Sequence, residues 1–158
     1  MGIKLYSRAY MGEQSPINCD GHKQIIEFLA QKYPRAVVMF HCGENDPANY
    51  ENMLELARMF PDTKFVGGHT GARRWRSFLA VLSGQQNVYA ELSTPWPWRP
   101  MIEEAVEAMG EEKVLWGTDY PLISVPFMEG ALLSADLSQA VKEKLFYTNA
   151  LRLVPWER

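Results

Sequence analysis

Val38-Met39-Phe40-His41-Cys42-Gly43 is an apolar, β-favouring run that stops at a metal-capable side chain and then meets a turn residue. Two later segments have the same construction: Val66-Gly67-Gly68-His69-Thr70-Gly71 and Val114-Leu115-Trp116-Gly117-Thr118-Asp119-Tyr120-Pro121. Each is followed, directly or after a loop, by helix-like sequence. This is the layout of successive β-α units whose strand ends converge on one mouth. The C-terminal ends of parallel strands are where such folds place their chemistry.

Working outward from these segments, apolar residues at Ile25, Ile26, Phe28, Leu29 and Tyr33 have helical spacing, and Pro34 stops them. The uninterrupted run Ala36 to Phe40 predicts a strand buried on both faces. Asp46-Pro47 predicts a helix start, with Asp46 as N-cap, and Tyr50, Met53, Leu54, Ala57 and Phe60 then share one face. The alternation continues with strands over 64–66, 87–92 and 113–116 and helices over 74–82, 100–109, 128–133 and 137–146, with 149–153 continuing or following the last. Gly110 is the expected C-cap of the 100–109 helix. His69 follows His41 by 28 positions, and Asp119 follows Glu91 by the same interval. Such regular alternation predicts an α/β fold: a partial (β/α) TIM-barrel-like array of four to five parallel strands with right-handed helical crossovers. Ile3 to Tyr6 is the remnant that would make a fifth strand. With no linker, repeat or low-complexity tract, residues 1–158 read as one domain.

Composition narrows the function. Apolar residues make up 47% and charged residues 22%, and the net charge of -3 is spread with both signs mixed. Neither a basic stripe for nucleic acid nor a polybasic membrane patch is present. The densest basic group, Arg73-Arg74 with Arg76, is brief and reads as a solvated helix start. No apolar stretch is long enough to span a bilayer, and no signal-peptide pattern opens the chain. Two cysteines, Cys19 and Cys42, do not make a disulfide scaffold, so a reduced, cytoplasmic protein is expected.

His41 and His69 each follow an apolar strand and precede or meet glycine. A neutral imidazole at a strand end suits a borderline metal such as zinc, and Asp119 offers a hard oxygen ligand or a base. One strand-end histidine is usually a hydrogen-bonded structural residue; three metal-capable residues in register favour a shared site. His22 reads as a surface residue at a helix start, and Cys42, beside His41 on an alternating strand, as a packing residue. Glu44 is within reach of a pocket. Two readings are open for Glu91: it faces the mouth, or it forms a buried salt bridge. The loop Thr94-Pro95-Trp96-Pro97-Trp98-Arg99-Pro100 is also open to two, with Trp96 and Trp98 as an apolar wall for an organic substrate or as packing for a neighbouring helix.

In these residues the chain resembles the C-terminal half of a metal-dependent amidohydrolase, of the type that includes aminocarboxymuconate-semialdehyde and resorcylate decarboxylases. The resemblance rests on His41 at one strand end, Gly68-His69-Thr70-Gly71 at the next, Gly117-Thr118-Asp119-Tyr120-Pro121, and the closing Asn149-Ala150-Leu151-Arg152-Leu153. It runs from about Gly2 onward. It implies an eight-stranded (β/α) barrel with a divalent metal, zinc foremost. His41 would bind the ion, His69 would bind it or polarise the reacting group, and Asp119 would bind it and handle protons. In that family the first strand supplies an H-x-H pair; the three histidines here, His22, His41 and His69, contain none, and sequence for the first three strands is absent. The activity implied is metal-dependent hydrolysis, or a related non-oxidative decarboxylation, of a small organic substrate. The alternative is a catalytically incomplete half-barrel serving assembly or small-molecule binding. An open sheet has two unpaired edges and is expected to expose an inner face of Val37, Met39, Val66, Val88 and Val114. That predicts pairing, as a homo-oligomer or with a complementing chain that carries the missing strands.

Overall fold

A computed structural model describes residues 2–7, 16–43, 49–95 and 100–154. Five strands form one parallel sheet in sequential order: β1 (Gly2–Leu5), β2 (Val37–His41), β3 (Lys64–Gly68), β4 (Val88–Glu91) and β5 (Val114–Leu115). Helices α1 (Asp20–Lys32), α2 (Asn49–Met59), α3 (Trp75–Leu82) and α4 (Met101–Met109) provide the crossovers. After β5 come α5 (Val125–Leu133), α6 (Gln139–Glu143), a π-helical turn over Lys144–Thr148 and α7 (Asn149–Leu153). The sequential order is that of a barrel wall, and five strands are fewer than the eight that close one.

The two faces of the sheet bury different sets of residues. Val38, Phe40, Phe65, Val88, Ala90 and Val114 face the helices and meet Ile26, Leu29, Met53, Leu56, Phe78, Leu82 and Ala105 in the main core. Phe40 and Phe65 stack there with ring centroids 6.2 Å apart. Gly67 is required at this face, because a Cβ on it would lie 2.3 Å from the Phe78 ring. The inner face carries a second cluster of Val37, Val66 and Leu115, against which Met39, Tyr89 and Leu153 pack. Burial raises the pKa of the Tyr89 phenol, which stays neutral beneath the mouth.

Two expectations about these faces are corrected. Val88 and Val114 do not line the interior: both belong to the helix-covered face and are fully buried. Nor are Val37 and Val66 uncovered, since they are 6% and 4% exposed. Leu115, Met39, Tyr89 and Leu153 of α7 pack against them. The apolar surface that does remain exposed lies on helices and loops, at Phe28, Tyr120, Leu122, Tyr147 and Leu151.

Side-chain staples set the ends of elements. The buried Asn87 amide donates to the carbonyls of Ala57, Phe60 and Thr63 at 3.0–3.1 Å and ties the end of α2 to the start of β4. Asn149 does the same for β5, donating to Glu111 O at 2.7 Å and Val114 O at 2.8 Å. Lys113 reaches Ser83 O and Gln85 O beyond α3, placing a cation at that helix's negative end. Between α3 and α4, Glu104 accepts hydrogen bonds from Trp75 Nε1 at 2.6 Å and from Arg76 Nε and Nη2 at 2.9 and 2.7 Å.

The Arg76 guanidinium and the Trp75 indole hold the Glu104 carboxyl below the usual carboxylate range. A carboxyl whose folded pKa is lowered contributes stability above its unfolded pKa and loses it as pH falls through the folded value. Glu104→Gln is therefore expected to cost about 1 kcal/mol at pH 7, roughly 2–4 °C in melting temperature for a chain of this size. The difference should narrow as pH falls below the ordinary carboxylate range, where the parent progressively loses the same contribution. A gap that persists unchanged in acid would assign the contact to packing rather than charge.

Candidate functional site

The register of β2 on β3 pairs His41 with Gly68, so His41 and His69 emerge side by side at the C-terminal edge of the sheet. Their rings meet edge to face, 4.6 Å between centroids, and His41 Nδ1 lies 3.0 Å from His69 Nε2. The Tyr6 ring stacks on His41 at 5.2 Å and 19°, with the Lys4 ammonium 5.2 Å from the same phenol ring. His69 is 6% exposed.

Local backbone explains how His69 turns inward. His69, Thr70 and Ala72 all have positive φ, at 69°, 46° and 48°, with Gly71 at 78° between them. This reversed turn folds the chain over the strand end before α3 begins. Thr70 secures it, donating from Oγ1 to Glu91 O at 2.7 Å. Gly71 is needed because a Cβ there would lie 2.7 Å from the Tyr50 hydroxyl.

Beneath the ring sits Glu91, the last residue of β4 and 8% exposed. Its Oε2 accepts from the His69 backbone N–H at 3.1 Å and from the Ser93 hydroxyl at 2.7 Å; its Oε1 accepts from the Ser93 N–H at 2.9 Å. Ser93 in turn presents its carbonyl oxygen to His69 Nδ1 at 2.6 Å and its Oγ at 3.1 Å. Of the two readings of Glu91, facing the mouth is the one the structure supports. Its partners are N–H and O–H groups of the site.

Asp119 lies past the end of β5 in a left-handed turn, φ 53°, and is partly exposed. The Leu122 N–H bonds to its carbonyl at 3.0 Å, and the Tyr120 N–H bonds to Thr118 Oγ1 at 3.2 Å. Among the described residues no three His, Cys, Asp or Glu side chains come together at metal-holding distances. The structure thus joins His41 to His69 and sets Asp119 apart from them at the same end of the sheet. Trp96 and Trp98 lie outside the described residues, as do Glu44 and Asp46. Cys42 is fully buried, its Sγ 3.9 Å from Met53 Sδ, and His22 sits in the first turn of α1, bonded through Nδ1 to Ile17 O at 3.0 Å. Sequence reasoning missed Ser93 and Tyr6. Ser93 carried a faint signal, standing two residues beyond a strand-end glutamate.

A catalytic zinc-type site takes three protein ligands and a structural site four. The described residues supply two imidazole nitrogens facing one another across 3.0 Å, close to the separation of neighbouring donors on one ion of about 2.1 Å bond length. The pair fits as half of a divalent-ion site. Further donors have to come from outside it.

Residues 22–156 match the family described as Amidohydrolase. The chain belongs to that family. It is 28% identical to an uncharacterized protein of Sinorhizobium fredii (strain NBRC 101917 / NGR234), over 63% of this chain and 41% of that protein. Among solved structures it is similar to an uncharacterized TIM-barrel protein from Bordetella bronchiseptica, with TM-score 0.81, 18% identity, and 96% of this chain on 56% of that one. It is also similar to a 5-carboxyvanillate decarboxylase from Novosphingobium aromaticivorans complexed with manganese, with TM-score 0.71, 19% identity, and 96% of this chain on 55% of that one. The chain spans about half the length of these relatives. At such identities the likeness shows the fold, a partial TIM-type barrel.

Because Ala72 combines φ 48° with ψ -117°, a conformation that suits glycine, the turn under His69 is sensitive to side-chain shape. Ala72→Gly is expected to fall within about 1 kcal/mol of the parent, with relief of strain offsetting added chain entropy. Ala72→Val should cost at least about 2 kcal/mol, since a β-branched residue is a clear outlier at positive φ. Equal denaturation midpoints for the two variants would show that the turn is not held in this conformation.

Proposed function

We propose that this chain is the His41–His69–Asp119 half of a divalent-metal-dependent enzyme of amidohydrolase type. Its substrate is a small carboxylated organic molecule. The observation that carries the reading is the facing pair of ring nitrogens, His41 Nδ1 and His69 Nε2, at the C-terminal mouth of a parallel sheet. Family membership and the fold shared with a manganese-bound aromatic-acid decarboxylase support it. Decarboxylation is the first reaction proposed, and hydrolysis of a carboxyl derivative the second.

His41 and His69 would hold the ion, which when bound supplies Lewis-acid polarisation of an oxygen. Zinc suits two imidazoles; manganese is the ion in the similar decarboxylase. Glu91 and Ser93 keep the His69 ring from turning. Tyr6 covers one face of His41 and limits its exposure to water. Asp119 moves the proton. In decarboxylation the carbon–carboxyl bond breaks, carbon dioxide leaves, and the carbon that keeps the electron pair takes a proton from the Asp119 carboxyl. In hydrolysis the Asp119 carboxylate accepts a proton from the attacking water and returns it to the leaving group. Trp96 and Trp98, in the loop after β4, are proposed to wall the substrate.

Further donors and the strands that close the barrel come, in this reading, from a complementing chain or from a second copy. The second reading is a half-barrel that serves assembly alone. It draws on the edges of β1 and β5, which pair with no further strand among the described residues, and on the apolar side chains exposed on helices and loops. Both cysteines are thiols, in keeping with a reducing cytoplasm. No helix among the described residues is long and apolar enough to cross a membrane.

Elemental analysis after dialysis against zinc or manganese should find ion in the parent and a sharp fall in His41→Ala and His69→Ala. With the barrel completed, Asp119→Asn should slow turnover of a carboxylated aromatic about 10²–10⁴-fold, the usual loss for an acid–base group, with the melting temperature little changed. Light scattering of the chain alone at micromolar concentration separates pairing from a stable monomer. Equal ion content in the parent and both histidine variants would reject the metal reading and leave the assembly module.

A further inference from the structure

Among the described residues the buried carboxyl group of Glu91 bonds to neutral N–H and O–H donors, and it organises three groups of the site. It receives the backbone N–H of His69 and both the N–H and the hydroxyl of Ser93. Burying a carboxylate in this way is costly unless hydrogen bonds compensate for lost water. Gly117, just past β5, makes room for it: a Cβ there would lie 1.9 Å from Oε1.

The consequence for His69 follows from donor and acceptor capacity. The Ser93 hydroxyl donates to Glu91 Oε2, so its proton points at Glu91 and its oxygen lone pairs are left for other partners. Facing His69 Nδ1 are then two acceptors, Ser93 O at 2.6 Å and Ser93 Oγ at 3.1 Å. Nδ1 must carry the proton. The Nε2 lone pair is thereby turned on His41 Nδ1, 3.0 Å away.

We propose that Glu91 is a positioning residue that, by clamping Ser93 and the His69 backbone, fixes the tautomer and orientation of the His69 imidazole. The ring is presented with Nε2 as the free base, the form in which histidine binds a metal. Glu91 itself meets no substrate. Hydrogen bonds alone set the tautomer. Its bearing on an ion rests on the reading of His41 and His69 as ligands.

Glu91→Gln preserves shape but replaces one oxygen by an NH₂ group, which donates where the site needs an acceptor. The Ser93 hydroxyl is then free to turn its proton toward His69, and the clamp on the Ser93 carbonyl is lost. The full-length chain with ¹⁵N-labelled histidine is examined at about pH 8.5, above the ordinary imidazole range. The parent should show His69 with a protonated Nδ1 and a bare Nε2. Glu91→Gln should show the two nitrogens averaged toward one another. In parallel, its affinity for manganese or zinc should fall about 10–100-fold, the usual effect of removing a partner behind a ligand. Circular dichroism and a cooperative melt confirm folding. If Glu91→Gln does not fold, Ser93→Ala is read instead, and its His69 Nδ1 resonance should move. An unmoved His69 spectrum in a folded variant overturns the proposal. A changed tautomer with unchanged ion affinity upholds the positioning role and removes the metal reading of the pair.

Discussion

Everything at the mouth depends on the register in which β2 lies against β3. Backbone hydrogen bonds pair Val37 with Lys64 and carry that offset to His41 and Gly68. Slipping one residue would send His41 to the helix-covered face and Phe40 into the interior. The slip is opposed by burial on both sides, since Val38 and Phe40 are fully buried under the helices while Val37 is buried against Val66 and Leu115 on the inner face. Fully burying one such side chain contributes about 1.5–3 kcal/mol. Register is therefore fixed by several side chains at once, and the histidine pair inherits its geometry from packing below it.

Glycine carries the complementary half of the design. Where the interior must accept a large group, the facing strand offers none of its own. Gly67 admits the Phe78 ring, Gly71 the Tyr50 hydroxyl, and Gly117 the Glu91 carboxylate. The first two shape the core and the turn. The third makes space for a polar group in a layer otherwise filled by Val66, Leu115 and Tyr89. This spacing lets a charge sit beneath His69 without a bulky neighbour pressing on it.

Much of the fold was legible because its signals are local. The continuous apolar runs ending in His41 and His69 marked buried parallel strands, and the helical spacing of Ile26 with Leu29 and of Met53 with Ala57 marked the crossovers. Strand polarity at Val88 and Val114 was misjudged. A run buried on both faces has no alternation from which to read direction, so only the register with β3 and β4 assigns them outward. At the site, the meeting of His41 and His69 followed from their equal strand-end positions. The Glu91–Ser93 support did not, because it depends on a loop turning back to place a carbonyl 2.6 Å from a ring nitrogen. Asp119 was legible as a strand-end residue, but its left-handed turn was not, since no glycine occupies the position.

Leu153, from the last helix, packs on the inner-face cluster of Val37, Val66 and Leu115. Asn149 holds that helix against the start of β5. The last helix is thus tied to β5 by both an apolar and a hydrogen-bonded contact. Loss of that anchor would therefore be felt at the strand whose Leu115 lies level with Glu91, the carboxylate that holds the His69 backbone.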